Sequence, residues 1–180
     1  MQELATPDEL LVQLADKTKA LLEHRAIENP LMVGIHTGGV WVATRLHQLL
    51  NSAGSIFSEP LATLDISFYR DDFSRIGMNP KVKPSNLPPD VEDRHIILVD
   101  DVLHTGRTIR AAMNELFDYG RPASITLVCL IERSGRELPL QADIVGQHAV
   151  LQEGEHIKLT GPEPLAFELK KNTTQGTTKG

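Results

Sequence analysis

The chain has 180 residues, of which 41% are hydrophobic and 23% charged, and a formal net charge of -6. That length suits one domain with one packed core, and the acidic balance argues against wholesale attraction to nucleic acid while leaving room for a local basic face. No apolar run approaches the roughly 20 residues that span a bilayer. The opening MQELATPDELL has neither a basic start nor a hydrophobic signal core, and the single Cys129 excludes a disulfide within the chain. A soluble, cytoplasmic protein without membrane contact is expected, with Cys129 as a buried, inert thiol in the run SITLVCLI.

Thr6, Pro7 and Glu9 form a helix-start signature with N-cap, first-turn proline and capping-box glutamate. Leu11, Leu14, Ala15, Thr18 and Leu22 continue it along one face, and the helix should stop before Asn29 and Pro30. LMVGI at 31–35 reads as a buried strand, followed by a turn at Gly38 and Gly39 and a helix marked by Val42, Leu46, Leu49 and Leu50. A strand is expected within 61–69. Residues 70–94, with four prolines and no sustained periodicity, read as a long loop able to close over a ligand. Residues 95–99 form the next strand, and Ile109, Met113, Leu116 and Phe117 mark the helix after it. Residues 125–131 are a long apolar strand, Ile144 and Val145 belong to a shorter one, and residues 157–159 suggest another. Residues 1–172 are expected to form a single domain, and the polar stretch 173–180 a disordered tail. Apolar strands alternating with amphipathic helices imply an α/β protein with a mainly parallel sheet flanked by helices, whose ligands bind at the strands' carboxyl ends.

The most informative stretch is IILVDDVLHTGRT, residues 96–108. Its apolar run delivers Asp100 and Asp101 to a strand end, and Thr105, Gly106, Arg107 and Thr108 then open a helix. Exposed amides, a helix dipole, a glycine and threonine hydroxyls suit a phosphate. The two acids suit hydroxyls or a metal, so a ligand carrying both, such as ribose 5-phosphate, fits the pattern. It is neither a Walker A loop nor a dinucleotide fingerprint. Thr37, Gly38 and Gly39, between strand and helix, offer backbone donors to a pyrophosphate. Arg70 and Asp71 open the long loop, where Arg70 is placed to stabilise a leaving diphosphate. The seven histidines lack the spacing of a zinc site.

Residues 96–108 resemble the phosphoribosyl pyrophosphate (PRPP) motif of type I phosphoribosyltransferases. LDISFYRDDFSR, VDDVLHTGRTIRAAMNELFDYGRPASITL and IERSGRELPLQADIVGQ narrow the resemblance, over about residues 8–160, to the PyrR family of pyrimidine operon regulators that are also uracil phosphoribosyltransferases. RELPLQADIVG is absent from purine phosphoribosyltransferases. The resemblance implies the type I phosphoribosyltransferase fold, with a small hood and a long flexible loop. It implies transfer from PRPP to uracil, giving UMP and pyrophosphate, with Mg2+ held mainly through PRPP and aided by Asp100 and Asp101. Asp100, Asp101, Val102, Leu103, His104, Thr105, Gly106, Arg107 and Thr108 would bind PRPP or UMP, with Asp100, Asp101 and Arg70 as the catalytic residues. Thr37, Gly38 and Gly39 would bind pyrophosphate, Arg70 and Asp71 would close the site, and Arg133 and Val145 would border the base. It further implies uridine-nucleotide-dependent binding of an mRNA leader of pyrimidine genes, sensing of UMP or UTP, and a homodimer or higher homo-oligomer. The family usually carries basic residues on both sides of the loop threonine, where His36 and Gly38 stand here. Two alternatives therefore stay open: a nucleotide-sensing regulator with weak or lost catalysis, and a phosphoribosyltransferase for a purine or another pyrimidine such as orotate.

Overall fold

The computed structural model describes residues 3–67 and 85–171. Arg70, Asp71 and most of the expected long loop lie outside these residues, as does the C-terminal tail. Helix α1 spans Pro7–His24 behind the capping box read from the sequence: the Glu9 amide donates to Thr6 Oγ1 (3.3 Å) and the Thr6 amide to Glu9 Oε2 (2.9 Å). It buries Leu11, Leu14, Thr18 and Leu22 as the spacing predicts, and Leu10 as well. There follow β1 (Leu31–Ile35), α2 (Gly38–Ser52), β2 (Ala62–Leu64), β3 (His95–Leu103), α3 (Arg107–Asp118), β4 (Ser124–Arg133), β5 (Ile144–Ala149), β6 (Glu155–Thr160) and β7 (Ala166–Lys171).

Strands β1 to β5 form one parallel sheet in the order β2-β1-β3-β4-β5. Both faces are covered, which is why its strands read as unbroken apolar runs. Met32, Ile97, Val99, Val128 and Leu130 pack with Leu14, Val42 and Leu46 from α1 and α2. Val33, Ile35, Ile96, Leu98 and Cys129 pack with Ile109, Ala112 and Leu116 from α3. Burial also pushes the Cys129 thiol well above its ordinary pKa, in keeping with an inert role. Strands β6 and β7 make a separate antiparallel pair that rests on β3 through β6 and sends Ile157 and Leu159 into the first core.

Several boundaries differ from the sequence reading. Strand β3 runs on to Leu103, carrying both acids within the strand instead of just beyond it. Phe117 is 53% exposed, because the face of α3 that meets the sheet is set by Ile109, Ala112 and Leu116. Strand β2 is only three residues long. The second half of the expected loop is anchored: Val91 is fully buried, and Asn86 exchanges backbone hydrogen bonds with Thr63 (3.1 and 2.8 Å). Strand β7 was not foreseen, since AFELKK is almost wholly exposed and its alternation is limited to Phe167 and Leu169. Among the described residues no helix is long and apolar enough to cross a membrane.

Candidate phosphoribosyl site

Strand β1 ends beside Val99 of its neighbour β3, so the segment that follows β1 meets the last residues of β3, which carry the two acids. The meeting is close. A Cβ built on Gly38 would lie 2.2 Å from Asp101 Oδ2, and one on Gly39 would lie 2.7 Å from the Val99 carbonyl and 3.2 Å from Asp100 Oδ1. At Gly39 the neighbour is backbone, so no side chain fits there, whereas at Gly38 the missing side chain leaves its space to the Asp101 carboxylate. The His36 amide fixes the loop from the other side by donating to the Leu64 carbonyl (2.9 Å), and the His36–Thr37 peptide is cis.

The acids themselves are not equivalent. Successive strand residues point to opposite faces. Asp100 is buried, 3% exposed, and accepts from the Asp101 amide through Oδ1 (3.0 Å), whereas Asp101 is half-buried and turned toward Gly38. Asp101 is thus the carboxylate better placed to meet a ligand, with Asp100 bracing it.

Beyond Leu103 the chain turns through Gly106, whose φ of +93° lies in the left-handed region that glycine adopts without penalty. Helix α3 opens at Arg107, two residues later than the sequence reading placed it. Thr105 Oγ1 takes the Arg107 amide (3.2 Å), and Gly106 contributes no capping side chain. The following first-turn amides and the Thr108 hydroxyl are left to an anion, which the helix dipole also favours.

Sequence reasoning missed what supports this cradle. The Thr105 carbonyl accepts hydrogen bonds from the amides of Glu137 (3.1 Å) and Leu138 (3.0 Å). Glu137 Oε2 also receives Nε and Nη2 of Arg107 (3.1 and 2.9 Å), while Leu138 and Leu140 pack on Gly106. The loop between β4 and β5, which contains the distinguishing RELPLQ stretch, is therefore the outer wall of this candidate cradle. Its signal was two leucines, Leu138 and Leu140, in an otherwise polar loop.

Arg133 ends β4 under the β6–β7 hairpin, its Nη1 3.4 Å from His156 Nδ1 and its buried Nε without a hydrogen-bond partner among the described residues. Burial draws the pKa of this guanidinium down, though it remains a cation. His104 lies beside it, and burial, Arg133 and His156 together lower its pKa against the opposing pull of Glu137. His156 had not been singled out in the sequence. Val145, expected at the base, is not brought to this group. It pairs with Cys129, which pairs with Asp100, so it stands two strands across from the acids, and its carbonyl accepts from Lys17 Nζ (2.7 Å). Arg70 and Asp71 lie outside the described residues.

Comparison with known proteins gives the family and the fold. Residues 4–159 match the family model of the phosphoribosyl transferase domain. The bifunctional protein PyrR of Nitrosococcus oceani is 58% identical over 163 residues, 91% of this chain and 90% of that protein. Its counterpart in Pseudomonas aeruginosa is 56% identical, over 93% of this chain and 95% of that one. Among solved structures, the purine phosphoribosyltransferase of Pyrococcus horikoshii superposes with a TM-score of 0.57 at 23% identity, covering 81% of this chain and 83% of that one. The hypoxanthine phosphoribosyltransferase of Trypanosoma cruzi superposes at 0.63 and 18%, covering 83% and 82%. At such identities these two establish the type I phosphoribosyltransferase fold and nothing narrower.

Proposed function

Because this chain belongs to the bifunctional PyrR family of phosphoribosyl transferases, we propose that it converts uracil and PRPP to UMP and pyrophosphate and couples pyrimidine gene expression to uridine nucleotide supply. The observation that carries the reading is the seating of Gly38 and Gly39 directly on Asp101 and Asp100. It brings a pyrophosphate loop to the place where the ribose hydroxyls would be held, and the bond that breaks in PRPP joins those two groups.

In this reading Thr105, Gly106, Arg107 and Thr108 bind the 5-phosphate, Asp101 braced by Asp100 binds the ribose hydroxyls, and Thr37, Gly38 and Gly39 bind the pyrophosphate. Val102 and Leu103 carry the strand between acids and cradle. Arg133 faces the base, and Arg70 and Asp71 close the site. Catalysis rests on positioning the reactants and on stabilising charge as the bond to pyrophosphate breaks. Among the described residues no three His, Cys, Asp or Glu side chains gather as a metal cage. The donor set suits Mg2+ that arrives on the diphosphate, with the Asp100 and Asp101 carboxylates nearby to complete its shell. Bound Mg2+ would neutralise diphosphate charge.

The regulatory half is binding of an mRNA leader, strengthened by UMP or UTP, by a cytoplasmic homo-oligomer. One observation favours a second reading, a nucleotide sensor with little catalysis: Asp101 fills the space beside Gly38, and no cationic side chain stands at that position in the pyrophosphate loop. Mixing protein, uracil, PRPP and Mg2+ and following UMP and pyrophosphate decides between them. Product formation that Asp101→Ala abolishes supports the enzyme, whereas normal UMP binding without product leaves only the sensor. Titrating the leader RNA of its own pyrimidine operon, with and without UMP, tests regulation; affinity indifferent to sequence, UMP and salt would sink it.

A further inference from the structure

Uracil presents its reacting nitrogen as N1–H, and that proton has to leave as the bond to the ribose forms. An acceptor for it must lie between the ribose acids and the base, be unprotonated at working pH, and keep a ring nitrogen or carboxylate oxygen free of protein partners. One side chain of the site combines these properties. His104 stands between the end of β3 and Thr105, three residues beyond Asp101, and is half-buried. Within the described residues its ring makes no hydrogen bond. Gly135 leaves open the space beside its Nε2, where a Cβ would approach to 2.9 Å. The charged and titratable groups that face it are Arg133 from β4, His156 from β6 and Glu137 from the loop between β4 and β5. Arg133 and His156 place it on the side of the β6–β7 pair, where the base has to lie once the phosphate occupies the cradle and the ribose meets Asp101. N1 is the base atom joined to the ribose, hence the one nearest this boundary.

We infer that His104 is the general base of the transfer. The electron pair on N1 forms the bond to the ribose carbon, and the pair of the breaking C–O bond leaves with pyrophosphate. The N1 proton passes to a ring nitrogen of His104, and the imidazolium then releases it to water. This role rests on the uracil reading above. Burial together with Arg133 and His156 keeps the imidazole neutral to lower pH than usual, so the base is ready at neutrality.

The test is steady-state kinetics of the wild type, His104→Gln and His104→Asp, with uracil and with 5-fluorouracil, between about pH 5 and 8, together with UMP affinity and melting temperature. His104→Gln should lower kcat/KM for uracil by about 100-fold or more and erase its acid limb, with UMP affinity and melting temperature unchanged. The loss should be smaller with 5-fluorouracil, whose N1 proton is more acidic. His104→Asp should recover part of the rate, with the acid limb moved to lower pH as befits a carboxylate. The inference is overturned if His104→Gln keeps the wild-type rate and acid limb, or if it loses both bases equally along with UMP affinity, the pattern of a structural residue. A wild type that turns over no uracil at any pH fails on its own, before any variant is compared; it removes the uracil reading and this role with it.

Discussion

The Asp101 carboxylate occupies the volume that a side chain at Gly38 would need, with Oδ2 only 2.2 Å from the Cβ position. Gly38→Ala should therefore rotate that carboxylate away from the ribose site while sparing the core. Hydrogen bonds to charged groups are worth about 1.5–3 kcal/mol, so PRPP affinity should fall by roughly 10- to 100-fold with little change in melting temperature. Calorimetric titration with Mg2+ and PRPP measures it; unchanged affinity would mean that Asp101 does not hold the ribose.

At Gly106 two costs coincide. Its φ of +93° is in the left-handed region, and a Cβ would lie 3.3 Å from that of Leu138. Gly106→Ala should destabilise the protein by about 1–3 kcal/mol and weaken UMP binding, because the displaced wall carries the Glu137 and Leu138 amides away from Thr105. Chemical denaturation and UMP titration read the two effects separately. Glu137→Gln, which breaks the exposed ion pair with Arg107, should cost less than about 1 kcal/mol of stability.

The α1 capping box gives a pH-dependent prediction. Hydrogen bonds from the Thr6 amide and hydroxyl hold the Glu9 carboxyl below its ordinary value near 4.5. A carboxyl with a lowered folded-state pKa stabilises the fold above its unfolded value and loses that contribution as pH falls through the folded one. Glu9→Gln should thus melt below the wild type at neutral pH, and the gap should close on acidification. Thr6→Ala should cost about 1 kcal/mol, or about 2–4 °C in Tm.

Gly146 is pinned between two layers: a Cβ there would come within 2.4 Å of the Leu130 carbonyl on β4 and 3.3 Å of Leu10 Cβ on α1. Backbone on one side cannot yield, so Gly146→Ala should cost about 1–3 kcal/mol. Thermal unfolding of the apo protein is the measurement, with no change in substrate KM expected at temperatures where the variant is folded.

Much of this architecture is legible in the sequence because local and global signals coincide. Thr6, Pro7 and Glu9 announce a helix that the core then confirms through Leu14 and Leu22. The apolar runs of β1, β3 and β4 are long because helices cover both their faces. What escaped reading depends on contacts between distant segments. Nothing near Phe117 shows that α3 meets the sheet through Ala112 instead, and Val91 gains its burial from packing with a core that includes Leu116 and Ile96. Val145 is expected at the base only through the family resemblance of the RELPLQADIVG stretch; its register with Cys129, two strands from Asp100, depends on sheet pairing that the local sequence does not show. The acids and TGRT were visible as chemistry. The pairing of Gly38 with Asp101 was not, because it joins the start of α2 to the end of β3, more than sixty residues apart.

Each margin of the main sheet carries a partner at one point among the described residues. At β2, Thr63 exchanges two backbone hydrogen bonds with Asn86, and at β5 the Lys17 ammonium sits on the Val145 carbonyl. A free strand margin is a template on which another chain can add, the first step toward aggregates. The backbone of residue 86 on one side and a lysine charge on the other discourage such growth, which protects the sheet from uncontrolled extension.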